Sequence, residues 1–163
     1  MDKIRINSKQ KWDKRFMEMA KLVGTWRTCL RHNVGAIIVK DKRIIATGYN
    51  GAPAGVESCE GKGYCLRDKM GIASGTRAEY CYATHAEQNA IVQAAKLGIS
   101  VDGATIYVTH RPCGICTKLI INSGIKRIVY GHHYPDEFSM EILNQTDIEI
   151  DHIPYEEECK WVL

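Results

Sequence analysis

The chain has 163 residues, 45% of them hydrophobic and 25% charged, with a formal net charge of +3. That length and composition suit one globular domain, 1–163, and exclude a disordered or fibrous chain. No run reaches the roughly 18 apolar residues of a membrane span, and scattered basic residues form no polyanion footprint, so neither membrane nor nucleic acid is expected as a partner.

In chain order, residues 10–23 (QKWDKRFMEMAKLV) bring Trp12, Phe16, Met19 and Val23 round at steps of four, three and four. This predicts an amphipathic helix with those side chains in the core. The opening MDKIRINSKQKWDKRF has no apolar core of a secretory signal, so a reducing cytoplasm is the expected compartment. VGAIIVKDKRIIATGYN reads as two β-rich runs around the polar KDKR, a hairpin that ends in the turn-rich GYNGAPAG. Residues 51–84 show almost no periodicity and many glycines, and a loop of that length has to be held by something. HAEQNAIVQAAKLG predicts a helix with Ala86, Ala90, Ile91, Ala94 and Leu97 on its apolar face and Gly98 as its stop. A strand at ATIYVT, a helix at PCGICTKLIINSG, a strand at KRIVYG, a helix at PDEFSMEILNQT and a strand at IEIDHI complete the chain. This alternation implies parallel strands with right-handed crossovers. The expected fold class is α/β, a mixed five-stranded sheet between helices.

Seven cysteines are many for a chain expected in a reducing compartment, where metal binding or catalysis is favoured over disulfides. Cys113 and Cys116 stand three apart at a strand-to-helix junction, so both sulfurs share one helix face. A helix N-terminus favours negative charge and so favours thiolates. A redox pair is the other reading of this spacing. His85, opening the preceding helix, supplies a third ligand; with Cys113 and Cys116 it would leave a tetrahedral Zn²⁺ one open position, the catalytic arrangement. Such a zinc brings the pKa of water from about 15.7 toward about 7. Glu87 is too near His85 in sequence for a comfortable co-ligand but well placed to handle that water's protons. Read as helix cap and solvated carboxylate, His85 and Glu87 would carry no chemistry; the matching cysteine pair argues otherwise.

HAEQNAI together with PCGIC resembles the cytidine/deoxycytidylate deaminase superfamily, whose H-x-E…P-C-x-x-C pattern it repeats, over about residues 10–152. The resemblance implies a cytidine-deaminase-like three-layer αβα fold. It also implies a hydrolytic deamination in which Glu87 takes a proton from water, passes one to ring N3 and then protonates the departing amino group. VGAIIV and GYNGAPAG resemble the deoxycytidylate (dCMP) deaminases within it. That implies conversion of dCMP to dUMP for thymidylate synthesis, with Asn50 on the deoxyribose and Ala86 and Tyr134 at the substrate. Without the resemblance, Asn50-Gly51 is a turn and Tyr134 a surface aromatic.

It further implies a homo-hexamer activated by dCTP and inhibited by dTTP, with Mg²⁺ beside the triphosphate and Gly51, Ala52 and Pro53 bordering the effector. The phosphate needs a cation or backbone donors, for which Arg31 and Arg111 are candidates. Likeness to phage-type members implies a second, structural zinc at Cys29 and Cys59. Cys81 stands in the neighbourhood where the phage pattern has a histidine, and Cys65 joins the set on composition; four such thiolates would tether the 51–84 loop. Buried hydrophobic cysteines or a disulfide are the alternative. Cys159, in EEECKWVL, has no assigned role. A rival substrate such as tRNA adenosine would need a basic RNA face, and a non-catalytic zinc module would have closed metal sites and no use for Glu87.

Overall fold

The protein is described by a computed structural model over residues 8–155; Cys159 lies outside the described residues. Helix α1, Ser8–Gly24, buries Phe16, Met17, Ala20 and Val23 against the sheet. Sequence periodicity placed Met19 in that core, but the structure leaves it 41% exposed and buries Met17 in its place. Positions 16, 17, 20 and 23 form the stripe that a 3.6-residue period turns inward, and Met19 falls off it. Asp13 is buried in the same stripe. Both its carboxylate oxygens accept from Arg127 at 2.7 Å, and one also accepts from the Tyr107 hydroxyl at 2.7 Å.

The hairpin forms as expected from β1, Gly35–Lys40, and β2, Arg43–Tyr49. Its two-residue loop, Asp41 (φ 50°) and Lys42 (φ 58°), has both residues left-handed, the turn whose twist matches the flanking strands. The long segment that follows holds two single-turn helices, α2 (Cys59–Lys62) and α3 (Leu66–Lys69), and a 3₁₀ turn at Ala78–Tyr80. Then come α4 (Ala86–Lys96), β3 (Thr105–His110), α5 (Gly114–Asn122), β4 (Arg127–His132), α6 (Glu137–Leu143) and β5 (Glu149–His152). Strand order is β2-β1-β3-β4-β5, with β1 antiparallel to both neighbours and the last three strands parallel.

Alternating strand residues face opposite layers. Ile37, Val39, Tyr107 and Val129 meet α1. Ala36, Ile38, Ile106, Val108 and Ile128 meet Ala86, Ala90, Ala94, Ile120 and Leu143 of α4, α5 and α6. The result is the expected three-layer αβα arrangement. Two expectations at helix ends fail. Leu97 is 61% exposed because α4 has already ended and Leu97 caps it ahead of Gly98, whose φ is 69°. Helix α6 is shorter than its sequence run: Asp136 stops it on the N-terminal side by accepting from the Ser139 N–H at 3.1 Å. No described helix is long and apolar enough to cross a membrane.

Candidate active site

Two helix N-termini meet beyond the C-terminal end of β3. The first belongs to α4. His85 is its N-cap residue, and the Gln88 side-chain oxygen accepts from the His85 N–H at 2.8 Å, which fixes the cap from the backbone side. One residue earlier, Thr84 pairs with Gly51 through Thr84 N–H to Gly51 O (2.8 Å) and Gly51 N–H to Thr84 O (3.3 Å). Asn89 donates to the Tyr49 carbonyl at 2.7 Å, tying α4 to β2. The helix also presses onto Gly48, where a Cβ would stand 2.1 Å from the Ala86 carbonyl oxygen. Only glycine permits that approach, and the approach sets where His85 and Glu87 begin. The second N-terminus belongs to α5. After β3 the chain passes through Pro112 to Cys113, the N-cap residue, and the Gly114 N–H donates to the Asp136 carboxylate at 2.8 Å.

These positions bring His85 Nδ1 to 3.6 Å from Cys113 Sγ and 3.4 Å from Cys116 Sγ, and all three ligand atoms lie within 4.8 Å of one another. Tetrahedral zinc with ordinary Zn–N and Zn–S bonds separates nitrogen and sulfur ligands by about 3.6 Å. The donor set therefore fits zinc, in type and in spacing. The Cys113 thiol is brought down to about 4, chiefly by its hydrogen bond with Cys116 and secondarily by His85, against the opposing effect of burial. Cys116 is pushed up by the same hydrogen bond and by burial, and His85 is raised by Cys113. Glu87, on the first turn of α4, is 4% exposed. Burial pushes its carboxyl above the usual range, with His85 pulling the other way.

A cavity of ≈270 Å³ opens over this group. Asn50, Ala86 and Tyr134, expected from the sequence at the substrate, line it. The Asn50 amide is largely committed: Oδ1 accepts from the Val34 N–H at 3.0 Å and Nδ2 donates to the His32 carbonyl at 2.7 Å. Burial raises the Tyr134 hydroxyl pKa, and the Tyr134 carbonyl accepts from Arg111 at 2.6 Å. Gly51, Ala52 and Pro53 do not line the cavity. Of the two arginines expected near a phosphate, Arg111 lines it, whereas Arg31 is paired with Asp68 at 2.5 Å and stands in the wall of a neighbouring cavity. Sequence reasoning missed Arg67, His32, His110 and His133, which share the main cavity. Burial, with His132 and His32 nearby, brings His110 down to about 4.

The six described cysteines are free thiols. Cys29, Cys59 and Cys65 are buried and Cys81 is half-buried. Burial pushes the Cys59 thiol up, and Cys65, Cys81 and Cys29 add to that. Among the described residues, however, no three of these sulfurs come within 4.8 Å of one another, unlike the His85, Cys113 and Cys116 group.

Residues 10–132 match the family model of the cytidine and deoxycytidylate deaminase zinc-binding region. ComE operon protein 2 of Bacillus subtilis is 40% identical over 148 residues, 90% of this chain and 73% of that protein. The deoxycytidylate deaminase of Mycobacterium phage D29 is 41% identical over 128 residues, 76% of this chain and 96% of that one. The crystal structure of dCMP deaminase from the cyanophage S-TIM5 in complex with dCMP and dUMP superposes with a TM-score of 0.74 at 32% identity, covering 91% of this chain and 100% of that one. With a His/Cys/Cys group at zinc-ligand spacing and a buried glutamate beside it, on a fold shared with these relatives, the chain belongs to the cytidine and deoxycytidylate deaminase family.

Proposed function

We propose that this deaminase converts dCMP and water to dUMP and ammonia. The observation that carries the reading is Glu87, a buried carboxyl two residues from His85 in a cavity that also holds Arg67 and Arg111. The dCMP deaminase relatives support the choice of base and carrier. His85, Cys113 and Cys116 would hold Zn²⁺, which when bound supplies a water acidic enough to act as nucleophile near neutral pH. Glu87 accepts a proton from that water and delivers one to cytosine N3, which makes C4 electrophilic. The oxygen of water bonds to C4; Glu87 then takes the second proton from that oxygen and passes it to the amino nitrogen, and the C4–N bond breaks so that the nitrogen leaves as ammonia. Burial keeps Glu87 away from bulk water. Asn50 has one free lone pair on Oδ1 for a deoxyribose hydroxyl; Ala86 and Tyr134 bound the base.

The reading extends to a cytoplasmic homo-hexamer, activated by dCTP with Mg²⁺ and inhibited by dTTP, that supplies dUMP for thymidylate synthesis. An effector role for Gly51, Ala52 and Pro53 is supported by the bridge from Gly51 to Thr84, the residue before His85. It also includes a second, structural zinc on Cys29, Cys59, Cys65 and Cys81, supported by four free thiols, three of them on the long 51–84 segment. An ammonia-release assay offering dCMP, deoxycytidine, dCTP and an adenosine-bearing tRNA stem-loop, with and without dCTP as effector, decides the substrate. Turnover of dCMP is expected, and its absence under every condition overturns the reading. Metal analysis of the purified protein is expected to find two zinc ions per chain; a single one removes the structural site.

A further inference from the structure

Resting on that reading, we infer that Arg67 holds the 5′-phosphate of the substrate and makes the enzyme select a nucleotide over a nucleoside. Arg67 sits on α3, is 8% exposed, and lines the cavity with His85, Glu87 and Tyr134. Its Nη2 donates to the carbonyls of Ala73 (3.0 Å) and Thr76 (2.7 Å), while its Nε is buried without a partner. Among the described residues no carboxylate lies within ion-pair distance of it. Arg31 is matched by Asp68, and Arg127 by Asp13 and Asp151. Arg111 shares the features of Arg67, with no acidic partner among the described residues, a buried Nε without a partner and Nη2 on the carbonyls of Tyr134 and Asp136. Arg67 is the more deeply buried of the two, so its uncompensated charge costs more.

A guanidinium buried without a counter-charge is costly, and an anion carried by the ligand offsets that cost. Among the described residues Glu87 is the one carboxylate lining this cavity, beside Arg67, Arg111 and four histidines, of which His85 belongs to the His/Cys/Cys group. With both Nη2 hydrogens on carbonyls, Arg67 keeps its Nη1 hydrogens for charge-assisted hydrogen bonds to a phosphate. A nucleoside, ending in a neutral hydroxyl, would leave the guanidinium charge uncompensated, and discrimination built on an unpaired buried group is strong.

The guanidinium is also held ready. Arg31 grips the segment at Asp68 and at the Ile72 carbonyl (2.6 Å), His32 Nε2 meets the Ser74 hydroxyl at 3.0 Å, and Gly75 (φ 80°) lies against the Tyr134 hydroxyl, where a Cβ would be 3.2 Å away. A guanidinium fixed before binding loses little freedom on taking its ligand.

The test compares wild type, Arg67→Gln and Arg67→Lys, each with its zinc content measured, on dCMP and deoxycytidine. The ratio of kcat/KM for dCMP to that for deoxycytidine is expected to fall about 10-fold to 100-fold in Arg67→Gln, the worth of one or two charge-assisted hydrogen bonds. The fall should come mainly from KM, with Arg67→Lys recovering part of it. An unchanged ratio, or an equal loss on both substrates with zinc retained, overturns the inference. If Arg67→Gln does not fold, competitive inhibition of wild type decides: deoxyribose 5-phosphate should inhibit far better than deoxyribose, and Arg67→Lys should narrow that gap. Equal inhibition by the two sugars, or an unchanged gap in Arg67→Lys, overturns it. A wild-type enzyme that deaminates another substrate but not dCMP refutes the substrate reading instead, and the sugar-phosphate comparison still reports on Arg67.

Discussion

Glu87 and His85 sit two residues apart and carry different consequences when removed. His85 Nδ1 lies 3.6 and 3.4 Å from the two sulfurs, so His85→Ala takes away a ligand that the remaining pair cannot replace. Purified His85→Ala is expected to lack the catalytic zinc by metal analysis. Glu87 contributes no atom to that group of three. Glu87→Ala is expected to keep its zinc while kcat falls about 10³-fold, within the range that positioned acid–base groups supply. Turnover close to wild type would remove Glu87 from the mechanism. Both residues were legible because each belongs to a short motif whose spacing already encodes a helix N-terminus. Arg67 was not: nothing in LRDK separates it from a solvated surface arginine, and its burial depends on carbonyls at Ala73 and Thr76.

At the scale of elements, the relation of α4 to β2 aims the site. Gly48 gives the Ala86 carbonyl its place, and a methyl there would stand 2.1 Å from that oxygen. Gly48→Ala therefore has to lift the start of α4. It is expected to cost about 1–3 kcal/mol in urea unfolding, as overpacking does, and to weaken zinc retention against a chelator. A variant of wild-type stability and metal affinity would show that α4 is aimed by other contacts. The helices and strands of the second half follow from local periodicity, which is why their order could be read directly. The 51–84 segment could not be read in the same way. Its single-turn helices stand on contacts such as Arg31 with Asp68 and His32 with Ser74, made to residues far away in sequence.

Across the whole molecule, one polar network spans the layers. Arg127 of β4 bonds Asp13 of α1 and Asp151 of β5, and Tyr107 of β3 donates to Asp13. Burial alone would raise the Asp13 carboxyl, but hydrogen bonds from Arg127 and Tyr107 outweigh it and hold the group below its ordinary 3.8. A carboxyl with a depressed folded-state pKa contributes its stability in full above the unfolded value and loses it as pH falls through the lower folded one. The contribution should therefore persist down to about pH 4 and fade below it. Asp13→Asn leaves Arg127 with part of its counter-charge missing and is expected to destabilise the fold by about 3 kcal/mol at pH 7. Urea midpoints followed from pH 7 to pH 3 check both statements: the gap between wild type and variant should close only at the acid end, and a gap that is absent at pH 7 or constant to pH 3 would contradict them.

By itself the sequence determined the α/β class and the order of the elements, and it pointed to the candidate metal and proton-transfer residues. The elements rest on local helix and strand periods, and the candidates on two short motifs, each compact within itself. Only the tertiary structure decided that Met17 rather than Met19 enters the core, that Asn50 spends its amide on the backbone, and that Arg31 is paired while Arg67 is left facing the site without a counter-charge. Those outcomes depend on which distant groups share a space after folding, and burial and charge pairing exist only then.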